Sequence, residues 1–326
     1  MSLFTVSSSP HIRTQETTSR IMLDVVIALV PAGIMSIWLY GVRSLWIILI
    51  GIVSAVITEF ALQKFMKKPV TISDFSAVVT GMLLAYNLPP SAPWWLPAIG
   101  SAIAIALVKQ LYGGLGHNFM NPALAARAVL LACWPVRMTA WVQPGADAVS
   151  TATPLALIKA GGAYSGATVG GASSVVNQLP SLWDVFIGNM GGTIGEVSSA
   201  ALLLGAAYLL IRGVINWRIP VSYIAVVFVL TLLLRGAGLY EAFYEIFLGG
   251  LILGAFFMAT DYSSSPVTPL GQIIMGIGCG IITVVIRVYG GYPEGVSYSI
   301  LLMNVATPLI EKFTAPKVFG EVRNNA

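Results

Sequence analysis

The sequence predicts an all-α polytopic membrane protein with about ten transmembrane helices. We expect two inverted five-helix repeats with a long extracytoplasmic loop between them. Two observations predict this class. Of 326 residues, 57% are apolar and only 9% are charged, whereas a soluble domain carries roughly a quarter charged residues. The apolar residues also form runs close to the roughly 20 residues that a helix needs to cross about 30 Å of hydrocarbon.

Five apolar runs precede the loop. They cover 21–40, 44–63, 75–88, 96–112 and 118–134. Lysines end the second run, and the paired Trp94-Trp95 after the third run suits a membrane interface. We therefore predict a cytoplasmic segment over 1–20 and a first five-helix repeat over 21–134.

Five more apolar runs follow the loop of 135–195. They cover 196–211, 220–234, 242–260, 270–289 and 296–313. These runs make up a second five-helix repeat over 196–313, and 314–326 would be a cytoplasmic tail. Several runs are short for a straight span, which predicts tilted or broken helices.

Two short internal matches support the division into repeats. Residues 81–87 are similar to 255–261, and 120–123 are similar to 303–306. The matching elements lie five spans apart, and because five is odd the two halves must have opposite topology. Inverted repeats of this kind occur in many transporters, with working sites near the membrane midplane.

The distribution of basic residues predicts the orientation. One face would carry ten of them: Arg13, Arg20, Lys64, Lys67, Lys68, Arg212, Arg218, Lys312, Lys317 and Arg323. The other face would carry Arg43, Arg137, Lys159, Arg235 and Arg287. The positive-inside rule then places both termini in the cytoplasm and the loop outside it. The net charge of +4 thus reflects membrane topology and does not indicate nucleic-acid binding.

Ionisable residues inside the predicted spans are candidates for an ion path, because buried charge in a membrane usually faces a cavity or a partner. Asp261, Asp24 and Glu59 are the acidic candidates, and Arg127 is expected to be the deepest cation. Each acid has a plain alternative as a snorkelling interface charge or a helix cap.

Asn118, Asn121 and Pro122 stand where the fifth helix could start late, which would leave free N–H groups near the membrane. Such groups suit a noncovalent flavin such as riboflavin, and a kinked packing interface explains them equally well. Cys133 and Cys279 are expected to be small buried hydrophobes. We find no CxxC framework, Walker loop or GxGxxG after a strand, so no iron–sulfur or NAD site is predicted.

The long loop contains a polar segment, residues 147–155, that has two interpretations. In the plain one Thr153 is a helix N-cap, because Thr is a good cap and Pro154 suits the first helical position. The second interpretation comes from resemblance. It uses Asp147, Ser150, Ala152 and Thr153, followed by Pro154 and Leu155.

These residues resemble the flavinylation motif of two related families. The families are the D-type subunit of the Rnf ferredoxin:NAD+ oxidoreductase complex and the B-type subunit of the sodium-pumping NADH:quinone oxidoreductase. The resemblance implies that Thr153 carries FMN through a phosphoester bond installed by a flavin transferase that uses FAD. The two interpretations are compatible, since a helix N-terminus attracts a phosphate. Thr168 follows a similar Ser-Gly-Ala core, but Gly162 stands at the position of Asp147 and no Pro-Leu follows, so Thr153 is the favoured site.

Further segments extend the resemblance over nearly the whole chain, at 9–11, 18–22, 116–118, 121–123 and 258–261. The D-type subunit of Rnf is favoured because the first span begins by residue 21, whereas the quinone-reductase relative usually has a longer N-terminal region. Thr151 departs from the family, which often has Gly before Ala-Thr.

The resemblance implies a non-autonomous subunit of a translocase in the prokaryotic inner membrane. Electrons would pass through the FMN, with Na+ or H+ translocated, and the partners would include flavin and iron–sulfur subunits. The alternative is a secondary transporter or channel in which the loop is only a gate, and it predicts a colourless protein.

Overall fold

A computed structural model describes residues 16–144, 152–160, 179–196, 198–236 and 238–316. Within these ranges every regular element is a helix. The all-α prediction is therefore confirmed for the part of the chain that the structure describes.

The elements before the loop overlap the predicted apolar runs, and further short helices lie in the described part of the loop. They are α1 (Thr18–Tyr40), α2 (Val42–Phe65), α3 (Ser76–Tyr86), α4 (Trp95–Ile103, continued by a π-helical segment over Ala104–Gln110), α5 (Pro122–Cys133), α6 (Pro135–Met138), α7 (Pro154–Ala160) and α8 (Leu182–Ile187). Local signals place the boundaries. The Thr17 hydroxyl accepts a hydrogen bond from Arg20 N at the start of α1, and Gly41, with φ +75°, turns the chain into α2.

The second half has a similar succession of elements. They are α9 (Ser199–Ile211), α10 (Arg218–Arg235), α11 (Leu239–Phe247), α12 (Leu251–Leu253, continued by a π-helical segment over Gly254–Met258), α13 (Pro269–Tyr289) and α14 (Val296–Thr314). Ser198 caps α9 and Thr268 caps α13 through their hydroxyls. Because α9 begins at Ser199, Glu196 lies in a turn before the helix and not in the sixth span as predicted.

Four helices of the described chain are long and apolar enough to cross a membrane, namely α1, α2, α10 and α13. The pair α11 and α12, bent by 66°, would make a fifth, and α3, α4, α5 and α9 are shorter apolar helices. Large apolar side chains face outward on the long helices: Ile34, Ile57 and Leu233 are 60%, 60% and 72% exposed. A surface of this kind needs lipid to cover it, so the chain is a multi-pass membrane protein. The total of ten spans stays a prediction.

Two predicted spans are interrupted or shortened in the structure. The fifth run was expected to be helical from residue 118, but α5 begins only at Pro122, after the cap residue Asn121. The eighth run, 242–260, breaks at Gly249-Gly250, where Gly249 has φ +63°. Broken helices inside a membrane are tolerated only where protein or a cavity satisfies the freed backbone groups.

The short helices α3, α5 and α12 meet in the interior. Asn87, just after α3, points its amide at Met258 Sδ, 3.7 Å away, and Asn121 Nδ2 donates to the Met258 carbonyl at 3.3 Å. The long helices surround this centre, with α1 packed on α9 and α10 packed on α13. Cys279 is buried as predicted, but Cys133 is exposed at the end of α5.

Candidate functional site

Thr153 begins the helix that its sequence predicts. Its hydroxyl accepts a hydrogen bond from Ala156 N at 3.2 Å, and its carbonyl accepts one from Leu157 N at 3.0 Å. This is N-capping geometry, and the side chain is 3% exposed. The interpretation of Thr153 as the N-cap of a helix that begins at Pro154 is therefore confirmed. Asp147, Ser150 and Thr168 lie outside the described residues.

A cleft of about 440 Å³ lies beside Thr153. The residues that line it are Ala152, Pro154 and Leu157 from the α7 segment, and Gln143, Leu179, Pro180, Asp184, Asn189, Met190 and Gly191. Its volume falls in the range of about 300–1,000 Å³ that is typical of small-molecule sites. A hydrogen bond from the Ser181 hydroxyl lowers the pKa of Asp184, so the cleft carries a carboxylate at neutral pH.

Apolar packing and one lysine attach α7 to the membrane helices. Leu155 and Ile158 are buried in a small cluster with Val185, Tyr244 and Leu248. At the other end of α7, the Lys159 ammonium donates to three backbone carbonyls at the end of α13. They are Ile286 O at 3.3 Å, Tyr292 O at 2.8 Å and Gly290 O. Burial lowers the pKa of Lys159, and the nearby Arg235 lowers it further.

Buried charges lie beneath α7. Arg235 Nη1 donates to Glu245 Oε1 at 2.8 Å, and Arg287 approaches the other carboxylate oxygen at 3.8 Å. Arg287 is 1% exposed, and its guanidinium also donates to the carbonyls of Glu245 and Leu248, which lie at the end of α11. This cluster therefore satisfies backbone groups that the break between α11 and α12 leaves free.

A second candidate site lies at the meeting point of the short helices. Asn121 caps α5, its side-chain oxygen accepting from Ala123 N at 3.0 Å and Leu124 N at 3.3 Å. Asn118 Nδ2 lies 3.4 Å from Asp261 Oδ2, and Ser264 Oγ donates to the same carboxylate oxygen at 3.0 Å. A cavity of about 80 Å³ touches Asn118, Asn121 and Asp261. That volume is well below the range of about 300–1,000 Å³ that is typical of small-molecule sites, so the cavity is too small for a flavin ring in this conformation.

The other two acidic candidates hold cations. Asp24 accepts from the Tyr208 hydroxyl at 2.7 Å and from Arg212 Nη2 at 3.0 Å. Glu59 is 1% exposed and accepts from Lys109 Nζ at 2.9 Å and from Gln110 Nε2 at 2.9 Å. Both are therefore ion-paired groups in this conformation.

Comparison with known proteins assigns the family. The model of the NQR2, RnfD, RnfE family matches residues 5–320 of the chain. The chain belongs to this family. It is 54% identical to the D-type subunit of the Na(+)-translocating ferredoxin:NAD(+) oxidoreductase complex of Acetobacterium woodii, with 97% of this chain and 95% of the relative covered. It is 47% identical to the D-type subunit of the proton-translocating complex of Clostridium ljungdahlii, with 98% and 97% covered.

A third NQR2, RnfD, RnfE relative is the D-type subunit of the ion-translocating oxidoreductase complex of Halorhodospira halophila, 37% identical with 98% of this chain and 96% of the relative covered. The resemblance to the D-type subunit of Rnf that the motifs predict is thus confirmed over nearly the whole chain. These relatives are named as subunits of ion-translocating oxidoreductase complexes, and the two from Acetobacterium and Clostridium are named for Na+ and for protons.

Sequence reasoning missed two buried cations of this family member. Lys109 is 2% exposed and Arg287 is 1% exposed, so protein encloses both more fully than Arg127, which is 8% exposed. The expectation that Arg127 lies deepest in the membrane stays a prediction. The signal for Lys109 and Arg287 was available, since each stands inside an apolar run. Arg287 was instead assigned to a membrane face, together with Arg235 and Lys159, which also turn inward to protein partners.

Proposed function

We propose that the chain is a membrane subunit of an ion-translocating ferredoxin:NAD+ oxidoreductase complex and that it relays electrons through FMN linked to Thr153 by a phosphoester bond. The observation that carries this proposal is the position of Thr153 at a helix start beside a cleft of ligand size. The names of the NQR2, RnfD, RnfE relatives support the complex, and the motif supports the attachment.

The residues around Thr153 fit a covalently attached flavin. The cleft lining includes Ala152, Pro154 and Leu157, whose apolar side chains could contact a ring, and polar groups such as those of Asn189 and Gln143. FMN would supply one- and two-electron chemistry, while this chain supplies position and electrostatics. Because the Thr153 hydroxyl is buried and capping, we expect the transferase to act before α7 closes over its cap.

We further propose that the two halves are inverted repeats with the loop outside the cytoplasm and both termini inside. The packing supports this: α2 packs on α3 and α4, and their counterparts α11 and α13 pack on α10. Repeat-equivalent residues also meet. The side-chain amide of Asn304 is assigned the orientation in which its nitrogen faces acceptors and its oxygen faces a donor. In this orientation the oxygen accepts a hydrogen bond from Asn121 N at 3.0 Å.

We propose that ions cross near the meeting point of the short helices. Asp261 is the best-placed acid of the three candidates, because its described partners are neutral hydroxyl and amide groups, whereas Asp24 and Glu59 hold Arg212 and Lys109. A second, noncovalent flavin such as riboflavin at Asn118 and Asn121 also stays a proposal, and it requires the 80 Å³ cavity to widen.

A second candidate function is a secondary transporter or channel without a redox role. The interrupted helices and the interior acid favour it, since such features form the working sites of many transporters. It predicts a protein without bound colour after purification.

The deciding experiment is ultraviolet in-gel fluorescence of the denatured protein, produced together with its flavin transferase. Wild type is compared with Thr153→Val and with the matched control Thr168→Val. Fluorescence that survives denaturation and vanishes only in Thr153→Val supports the proposal. A dark wild-type band, with the transferase active on another target, favours the transporter.

A further inference from the structure

Glu196 is a buried acid next to the Thr153 segment that none of the roles above uses. It is 5% exposed and lies in the turn before α9. The turn is held in place by backbone hydrogen bonds from Ile194 N to Leu88 O at 2.9 Å and from Gly195 N to Tyr86 O at 2.8 Å. The position of the carboxyl is thus fixed by the end of α3.

The partners of Glu196 differ from those of most other buried acids. Four carboxylates hold at least one cation each: Asp24 with Arg212, Glu59 with Lys109, Glu245 with Arg235 and Arg287, and Glu294 with Arg127. Among the described residues no Lys or Arg nitrogen lies within 4.0 Å of Glu196, and its side-chain hydrogen bond comes from the Thr193 hydroxyl at 3.2 Å. A buried carboxylate without a cation is costly, which favours the neutral, protonated form.

The charged groups that face Glu196 come from several elements. Glu294 and Arg127 approach as an ion pair, Arg287 comes from α13, and Tyr40 comes from α1. Burial has the largest effect and raises the pKa of the Glu196 carboxyl to about 8, Glu294 raises it too, and Arg127 opposes them. Glu196 therefore titrates in the range where a nearby change of charge has the greatest effect on its proton.

The break at Gly249 brings this carboxyl close to the flavin motif. The point that a Cβ on Gly249 would occupy lies 2.6 Å from Leu155 Cδ1, 3.2 Å from Arg287 Nη2 and 3.7 Å from Glu196 Oε1. Leu155 is two residues from Thr153. Since water is largely excluded here, a charge near Thr153 is poorly screened at the Glu196 carboxyl.

We propose that Glu196 is a proton-exchange site that takes up and releases a proton as the charge of the group at Thr153 changes. The inference rests on the proposed function. One electron from an iron–sulfur or flavin donor adds one negative charge near Thr153. Between about pH 8 and about pH 9, where part of the Glu196 carboxyls are ionised before reduction, protons from water then bind those carboxylate oxygens, so a fraction of a proton accompanies each electron. When the electron leaves to the next carrier, the O–H bond breaks and the proton returns to water. At an effective dielectric constant of about 20, one charge about 10 Å away shifts such a titration by about one pH unit.

Infrared difference spectroscopy on the purified complex tests this directly, because a protonated carboxyl has its own C=O band. Spectra of the oxidised and reduced complex are recorded as the pH is raised from neutral. Wild type is compared with Glu196→Gln and with Glu241→Gln, which removes a less buried acid from the first turn of α11. Isotope-labelled glutamate shows that the band in wild type belongs to a glutamic acid. If Glu196→Gln fails to assemble, Glu196→Asp replaces it, because the retained carboxyl should move the band out of the glutamate-labelled position only if Glu196 is its source.

We expect a glutamic-acid band that titrates away near pH 8 in the oxidised complex. Reduction should move that titration upward by about one pH unit, for the electrostatic reason given above. The band should be absent in Glu196→Gln and present in Glu241→Gln. Loss of the band in the Glu241 variant alone, or its survival in the Glu196 variant, overturns the assignment.

Fluorescence of the denatured protein in the same samples separates this inference from the proposed function. If the chain is fluorescent but its glutamic-acid band does not change when the complex is reduced, the proton coupling is overturned and the flavin proposal stands. A dark chain overturns the flavin proposal and the coupling together, and the pH titration then still decides whether Glu196 holds the proton.

Discussion

The Lys159 ammonium donates a hydrogen bond of 2.8 Å to the carbonyl of Tyr292. Through this bond and those to Ile286 and Gly290, a single side chain of α7 caps the end of the membrane helix α13. Lys near a helix C-terminus also complements the negative end of the helix dipole. The short helix that carries the motif is thereby held in register with the membrane domain.

Lys159→Met should loosen α7 while leaving the membrane helices folded. Hydrogen bonds to a charged donor contribute about 1.5–3 kcal/mol each, and because Lys159 is partly exposed we expect a loss near the lower end of that range. Limited proteolysis should cut the loop faster in the variant, and thermal unfolding in detergent should begin earlier. Lys312→Met, an exposed lysine on α14, is the control. Equal proteolysis rates in the two variants would contradict the anchoring role.

Gly249→Ala should displace α7 from its position. The residue has φ +63°, and a Cβ there would lie 2.6 Å from Leu155 Cδ1, so the substitution combines backbone strain with a steric clash. We expect a destabilisation of about 1–3 kcal/mol from these effects together. The neighbouring Gly250 provides a matched control, because it has φ −60° and a Cβ there would meet no atom within 4 Å.

Chemical unfolding followed by tryptophan fluorescence measures both glycine variants. Gly250→Ala should stay within about 0.5 kcal/mol of wild type, as for a substitution that makes no new contact. If the two variants unfold alike, the close approach of Leu155 to the helix break does not exist in solution.

Local sequence patterns predict the local structure of this chain, but they do not predict which distant residues contact each other. Thr153-Pro154 predicts a helix start that the structure has. For α5 the apolar run predicts a start at residue 118, while Asn118, Asn121 and Pro122 leave a later start open, and the structure has the later one. Glu245 is the one charged residue in the run 242–260, and nothing in the composition marks the break at Gly249 except two glycines. The break depends on Arg287, which lies far along the chain and satisfies the freed carbonyl of Leu248.

Replacing one partner of the Glu59–Lys109 ion pair should destabilise the protein more than replacing both partners. The pair is fully buried, with the two charged atoms 2.9 Å apart, so Lys109→Met alone leaves an uncompensated charge. We expect each single variant to lose about 3–5 kcal/mol and the double variant Glu59→Gln/Lys109→Met to lose clearly less than the sum.

The exposed pair Glu16 and Arg20, whose atoms lie 3.9 Å apart, is the comparison for that cycle. Exposed pairs contribute about 0–1 kcal/mol, so its variants should leave unfolding nearly unchanged. Additive losses at Glu59 and Lys109 would mean that the two groups do not interact in the folded protein.

Asn121→Ala should weaken the meeting point of the short helices in two ways. It removes the cap of α5, formed by bonds to Ala123 N and Leu124 N, and it removes the donor to the Met258 carbonyl. The lost cap costs about 0.5–2 kcal/mol, and the freed buried carbonyl adds about 1–3 kcal/mol. Asn121→Ser separates the two contributions, because a serine hydroxyl can still cap α5 but is too short to reach Met258. The midpoint of thermal unfolding should therefore be highest for wild type, lower for Asn121→Ser and lowest for Asn121→Ala. Equal midpoints for Asn121→Ser and Asn121→Ala would show that the cap contributes nothing.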